Sequence, residues 1–242
     1  MLLKRLRLIP FLWLCLPVPG QQPDAARVIR LVDAAVQTRV ENVLAFSDIE
    51  HYAVYRGKDS SHPVAEMTVR DSYNKASGKT YTILSQSGSS IVQKIGLQPL
   101  LENETRINRP AKVASSWFTS ANYDMKLKPG GIQHLNGRAC YALAITPKQK
   151  APNLIDGTLW VDASDGAIVQ VQGTPSKSPS ILAGTTHMMR EYRNIDGYAM
   201  ATHARAESSS FLFRRTVVLI DYSDYRLVLR TPSKASATGG ER

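Results

Sequence analysis

At 242 residues, with 43% hydrophobic and 21% charged residues, the chain is long and apolar enough to bury one sizeable core and should fold. Its formal charge is +10, yet no zinc spacing, basic helix or Gly-Phe-aromatic motif accompanies that charge, which argues against nucleic acid as a partner. Cys140 is left without a disulfide partner once Cys15 departs with a leader, and a lone strand cysteine beside Ala139 and Tyr141 reads as a small buried hydrophobe.

Residues 1–20 have the pattern of a secretory signal peptide. Lys4, Arg5 and Arg7 form a positive start, Leu8 to Val18 an apolar centre broken by Pro10 and Pro17, and Val18-Pro19-Gly20 precedes a cut at Gln21. The apolar run is too short for a membrane span, which needs roughly 20 residues. Cys15 does not make a lipoprotein signal, because Leu14 stands where a small residue belongs. Cleavage takes the charge from +10 to +7 (10 minus 3), so the mature chain stays basic. Anionic lipid, lipopolysaccharide or cell-wall polymer would suit that charge, as would a merely solvated surface.

Asp24 can cap a helix running to about Phe46, with Val28, Val32, Val36, Val40 and Leu44 on one stripe. From Asp48 the period changes to two. Residues 49–56, 65–73 and 80–86 read as strands, and Ser89 to Trp117, interrupted by Pro99 and Pro110, reads as short helices inserted between sheet segments. Strands resume at 123–127. A meander then fills 131–173, with turns at Asn136-Gly137 and Asp162 to Gly166, and strands follow at 186–195, 198–207 and 214–227. One domain is expected over 21–229, with a disordered tail at 230–242.

Several catalytic and metal patterns fail. Ser77-Gly78-Lys79-Thr80 lacks the earlier glycine of a phosphate loop, Tyr73 standing in its place. No Gly-x-Ser-x-Gly, His-Glu-x-x-His or Cys-x-x-Cys occurs. His187, Met188 and Met189 could bind a soft metal, but alternation sends Met188 to the opposite face; Asp162, Asp165 and Gly166 suit a hairpin turn as well as calcium. No enzyme activity, cofactor or metal is expected.

The helix-then-meander order, the helical insertion after the third strand, "Asn-Gly-Arg-Ala-Cys-Tyr-Ala-Leu-Ala-Ile-Thr-Pro-Lys" at 136–148 and "Leu-Trp-Val-Asp-Ala-Ser-Asp-Gly" at 159–166 together resemble the outer-membrane lipoprotein-sorting (LolA/LolB/RseB-like) superfamily over Ala25 to Leu229. The resemblance implies a mainly β (α+β) fold: an incomplete antiparallel barrel of about eleven strands with an N-terminal helix and a helical lid. It further implies a periplasmic protein that holds acyl chains of a lipid or lipoprotein in an apolar cavity, with envelope proteins as possible partners and no stable membrane span after cleavage. An alternative is a regulatory or scaffold domain that binds a protein partner without lipid. The bulky members of the alternating strands are then the candidate lining: Met67, Val69, Tyr81, Ile83, Tyr141, Leu143, Ile145, Leu159, Val161, Val218 and Ile220. Ile91, Val92, Ile95, Leu100 and Leu101 are the candidate lid. The carrier's lid-fastening arginine lies on an early strand; Arg56 and Arg70 both do, and neither can be matched to it.

Overall fold

The computed structural model describes residues 24–177, 184–210 and 214–231. The expected signal peptide and nearly all of the expected tail lie outside the described residues.

Asp24 starts α1 (Ala25–Asn42) by accepting the Ala26 N–H at 3.0 Å. Val28 and Val32 are buried beneath the helix, with Ile29 and Val36 beside them. The valine spacing predicts helix to about Phe46, but α1 stops at Asn42 and β1 (Val43–Arg56) begins at once. Val43, Ala45 and Phe46 pair with Leu229, Val228 and Leu227 of β11 (Arg214–Leu229), and Ala45 and Phe46 also pair with Asn74 and Tyr73 of β2 (Ala65–Asn74). Two hydrogen-bonded ladders outweigh one further helical turn, so the local period loses to the sheet. Lys75 Nζ then donates to Val40 O at 2.9 Å and satisfies one carbonyl at the helix end.

β3 (Gly78–Gly88) forms one edge of the sheet. The remaining strands are β4 (Tyr123–Leu127), β5 (Gln133–Leu135), β6 (Arg138–Pro147), β7 (Ile155–Asp162), β8 (Ile168–Pro175), β9 (Thr185–Ile195) and β10 (Tyr198–Ser210). Their order is β3-β2-β1-β11-β10-β9-β8-β7-β6-β4, with β5 beside β6 and every pair antiparallel. The two edges do not meet. The fold is therefore an open, eleven-stranded half-barrel, and β11 joins the strands before the helical insertion to those after it.

The meander turns follow their sequence. Asn136 and Gly137 adopt φ of 51° and 78° between β5 and β6, the left-handed geometry of a tight hairpin. Asp162 accepts the Ser164 N–H at 2.8 Å and pairs with Arg138 Nε at 2.8 Å, which accounts for its carboxylate as a turn and ion-pair group. Gly166, at φ 73°, lies so close to α1 that a Cβ there would come within 2.4 Å of the Leu31 carbonyl carbon. This close approach sets how α1 seats on the sheet.

Between β3 and β4 the chain forms α2 (Ser90–Val92), a π-helical turn (Gln93–Leu97), α3 (Gln98–Ile107), α4 (Pro110–Val113) and a 3₁₀ turn (Ala114–Ser116). This is the expected helical insertion. Gln93 Nε2 fastens it to the sheet edge by donating to Glu66 O at 2.6 Å and Ser87 O at 2.7 Å.

The two helical segments cover different parts of the concave face. Under α1, Val28 and Val32 pack with Leu143, Ile145, Leu159, Val161 and Val171. Under α2 and α3, Val92, Leu97 and Leu101 pack with Tyr52, Met67 and Val69. Each fully buried aliphatic side chain contributes roughly 1.5–3 kcal/mol. The sheet thus carries two separate cores with a gap between them. No helix among the described residues is long and apolar enough to cross a membrane.

Candidate ligand cavity

The gap is a cavity of about 750 Å³. Val36 and Val40 of α1 form one wall, Leu100 and Ile107 of α3 another, and Val218 and Ile220 of β11 are part of the sheet behind them. The volume lies within the roughly 300–1,000 Å³ of ordinary ligand pockets.

Charged side chains share this wall, which was not expected. Lys79 on β3 is the hub: its Nζ lies 2.9 Å from Glu50 of β1 and 3.1 Å from Asp71 of β2, and it donates to Glu104 of α3. Tyr52 donates its hydroxyl to the other oxygen of Glu50, and Arg190 of β9 stands 3.9 Å from Glu104. Lys79 therefore ties the inserted helix to three adjacent strands. Although burial opposes its charge, Glu104, Glu50 and Asp71 together hold its pKa well above the usual lysine value. Lys79 and Arg190 likewise keep Glu104 below the usual carboxylate range in spite of its burial.

Asp48 and Asp71 are in a different position. Asp48 is 2% exposed and neither carboxylate oxygen has a hydrogen-bond partner among the described residues. Burial, reinforced by Glu50 and Asp71, pushes its pKa up to about 8. Asp71 touches Lys79 without hydrogen-bond geometry, and burial raises its pKa to about 7 against the pull of that lysine. Oxygens of Asp48, Glu50 and Asp71 lie within 4.8 Å of one another, a spacing that could hold a metal ion. The Lys79 ammonium already provides the positive partner of Glu50 and Asp71, so the arrangement fits a lysine-centred ion cluster.

One irregularity aims two further groups inward. β11 has one extra residue between Ser223 and Arg226 opposite Ile49 and Ser47, and Asp224 there adopts φ 55°. The bulge lets Tyr222 and Tyr225 both face the cavity, where strict alternation would turn one outward. Tyr225 is anchored by donating its hydroxyl to Ala201 O at 2.8 Å.

The expected lining residues divide sharply. Val218 and Ile220 do line the cavity. Met67 and Val69 are packed under the inserted helices, while Leu143, Ile145, Leu159 and Val161 are packed under α1, so helices occupy the places where a guest was expected. Tyr81 and Tyr141 flank those cores, and Ile83 is 37% exposed because β3 has no neighbour on its outer side. Of the expected lid residues, Leu100 reaches the cavity wall. Val92 and Leu101 are buried in the second core, whereas Ile91 and Ile95 face outward at 66% and 59% exposure. Arg56 and Arg70 are both exposed, and the basic residue that grips the inserted helix is Lys79. The charged wall had a readable signal: Glu50 shares strand parity with Tyr52, Asp71 with Val69, and Arg190 with Met188, so each is a charge on an otherwise apolar face.

No family's sequence model matches this chain, and no curated protein sequence does. Solved structures do. A LolA superfamily protein from Nitrosomonas europaea aligns over 87% of this chain and 96% of its own at 14% identity and a TM-score of 0.45. A DUF1329 family protein from Desulfovibrio piger aligns over 84% and 92% at 15% identity and a TM-score of 0.44. A protein domain from Vibrio parahaemolyticus, described as outer membrane lipoprotein-sorting, aligns over 84% and 93% at 13% identity and a TM-score of 0.49. This chain is similar to all three. At these identities and TM-scores they assign neither ligand nor compartment to it.

Proposed function

We propose that the protein is an exported, periplasmic carrier or binding protein that holds acyl chains of a lipid or lipidated protein in its half-barrel. The observation that supports this most is the 750 Å³ gap between the two cores, walled by aliphatic side chains from α1, α3 and β11. Each methylene moved from water to such a wall is worth about 0.8 kcal/mol, so a single chain would supply ample binding energy. Export rests on the leader pattern of residues 1–20.

The test is mass spectrometry of organic extracts from protein purified without detergent, together with uptake of a fluorescent fatty acid. Ala206 lines the cavity from β10. Ala206→Phe should reduce uptake at least about tenfold by filling the space, with a stability cost of no more than about 1–3 kcal/mol. Absence of lipid and of uptake in the unaltered protein would refute the reading.

A second reading is a scaffold domain that binds a protein partner, favoured by the exposure of Ile83 and Leu84 on the edge strand β3 and of Ile91 and Ile95 in the helical insertion that follows it. Ile91→Asp and Ile95→Asp should abolish capture of one stoichiometric envelope protein if that reading holds, and leave fatty-acid uptake unchanged if it does not.

A further inference from the structure

The cavity wall contains a guanidinium that no carboxylate among the described residues neutralises. Arg39 projects from α1 into the cavity, three residues beyond Val36 and one before Val40, which line the same wall. Its Nε is buried without a hydrogen-bond partner among the described residues. The groups that face its charge are the phenols of Tyr192, Tyr225 and Tyr73, with no carboxylate among them. Arg190 lines the same cavity and also has Tyr192 as a neighbour.

An unmatched cation in an apolar site is costly, because burial removes its water and no counter-charge replaces it. The cost shows here as an Arg39 pKa drawn below its usual value by burial. Asp48 does not relieve it: with its pKa pushed to about 8, that carboxyl is mostly neutral at pH 7. Lys79 and Arg190 already face Glu50, Asp71 and Glu104. Among the described cations of the cavity, Arg39 is the one whose Nε is buried without a hydrogen-bond partner, and its planar guanidinium matches the geometry of carboxylate and phosphate oxygens.

Resting on the acyl-chain reading above, we infer that the guest is an amphiphile with an anionic head, carboxylate or phosphate, held by Arg39 and the phenols of Tyr73, Tyr192 and Tyr225 while its tail lies against Val36, Leu100 and Val218. The head is buried with its charge paired, and the tail follows the aliphatic wall between the two helical segments. Arg190, which lines the same cavity beside Tyr192, supplies a second positive field.

The experiment compares dodecanoate, dodecyl phosphate and dodecanol by equilibrium dialysis against the full chain, and repeats the series with Arg39→Met and Arg39→Lys. Dodecanoate, dodecyl phosphate or both should bind the unaltered protein about tenfold or more tighter than dodecanol, as expected for a charge-assisted bond made out of water. Arg39→Met should erase that advantage and leave dodecanol unchanged, and Arg39→Lys should retain part of it. Preference for the phosphate would identify a phospholipid-type head, and preference for the carboxylate a free fatty acid. Equal binding of all three ligands to the unaltered protein overturns the head-group assignment and leaves the acyl cavity standing; binding of none overturns both. An anion advantage that survives in Arg39→Met overturns the role of Arg39. Should Arg39→Met fail to fold by circular dichroism, the unaltered protein and Arg39→Lys still decide, since loss of the anion advantage in the former is sufficient refutation.

Discussion

Lys79 is the side chain on which the largest single loss should fall. Replacing it with Met would leave Glu50 and Asp71 buried without a counter-ion and Glu104 with the more distant Arg190 alone, a change worth about 3–5 kcal/mol. At roughly 2–4 °C per kcal/mol for a domain of this size, thermal unfolding should show a fall of some 6–20 °C. The raised carboxyl groups also set a pH dependence. Asp48 and Asp71 ordinarily titrate near 3.8, and in the fold they do so at about 8 and about 7. Between those limits the folded state keeps protons that the unfolded chain has released, so stability is greatest on the acid side and declines as pH rises through the window. The decline is at most ~1.4 kcal/mol per pH unit for each group. Groups shifted downward, such as Glu104, Glu207 and Asp162, act below about pH 4.5 and leave the window above pH 5 to the two aspartates. Melting temperature should therefore fall from pH 5 to pH 8.5, and Asp48→Asn should flatten the slope; a rising curve would contradict the assignment. Leu143 tests the division between core and cavity. Leu143→Ala should cost about 2–5 kcal/mol yet leave fatty-acid uptake intact, because Leu143 packs under α1 away from the cavity wall. Alternation placed Leu143 and Val218 equally well on the inner face. It had no means of telling which inner position a helix would cover.

At the level of elements, α1 shows what a local pattern can and cannot reveal. The stripe of Val28, Val32 and Val36 correctly announces an amphipathic helix, and Asp24 its start. The stripe continues through Val40 and Leu44, so its end was not legible; only the ladders to β2 and β11 decide that residue 43 is already strand. The inserted helices were legible from Pro99 and Pro110 and the change of texture, but the π-helical turn at Gln93–Leu97 was not. Nothing in its composition announces the sheet-edge carbonyls of Glu66 and Ser87 that Gln93 binds. The seating of α1 rests on Gly166. Gly166→Ala adds a Cβ against the Leu31 backbone at a φ of 73°, and should lower stability by about 1–3 kcal/mol. Because α1 carries Val36 and Arg39 into the cavity, the same substitution should weaken uptake, read by the fluorescent fatty acid.

For the molecule as a whole, the class of fold was readable because turn residues and two-residue alternation repeat along nearly the entire meander. The hollow was not, since an empty space belongs to no residue and depends on how far two helical segments fall short of covering one sheet. The charged wall lay between these cases: its parity was visible, its convergence on Lys79 was not. One further consequence comes from the pairing of β1 with β11 in the interior of the sheet. The strand that stitches the early hairpins to the later meander is the last of the sheet's strands to be synthesised, so the sheet is incomplete at any earlier moment. Maturation must wait for residue 229, and contacts between such distant parts of a chain form slowly. A sheet closed in that manner stays incomplete until its final strand has been made, which is compatible with the proposed export of the chain before it folds.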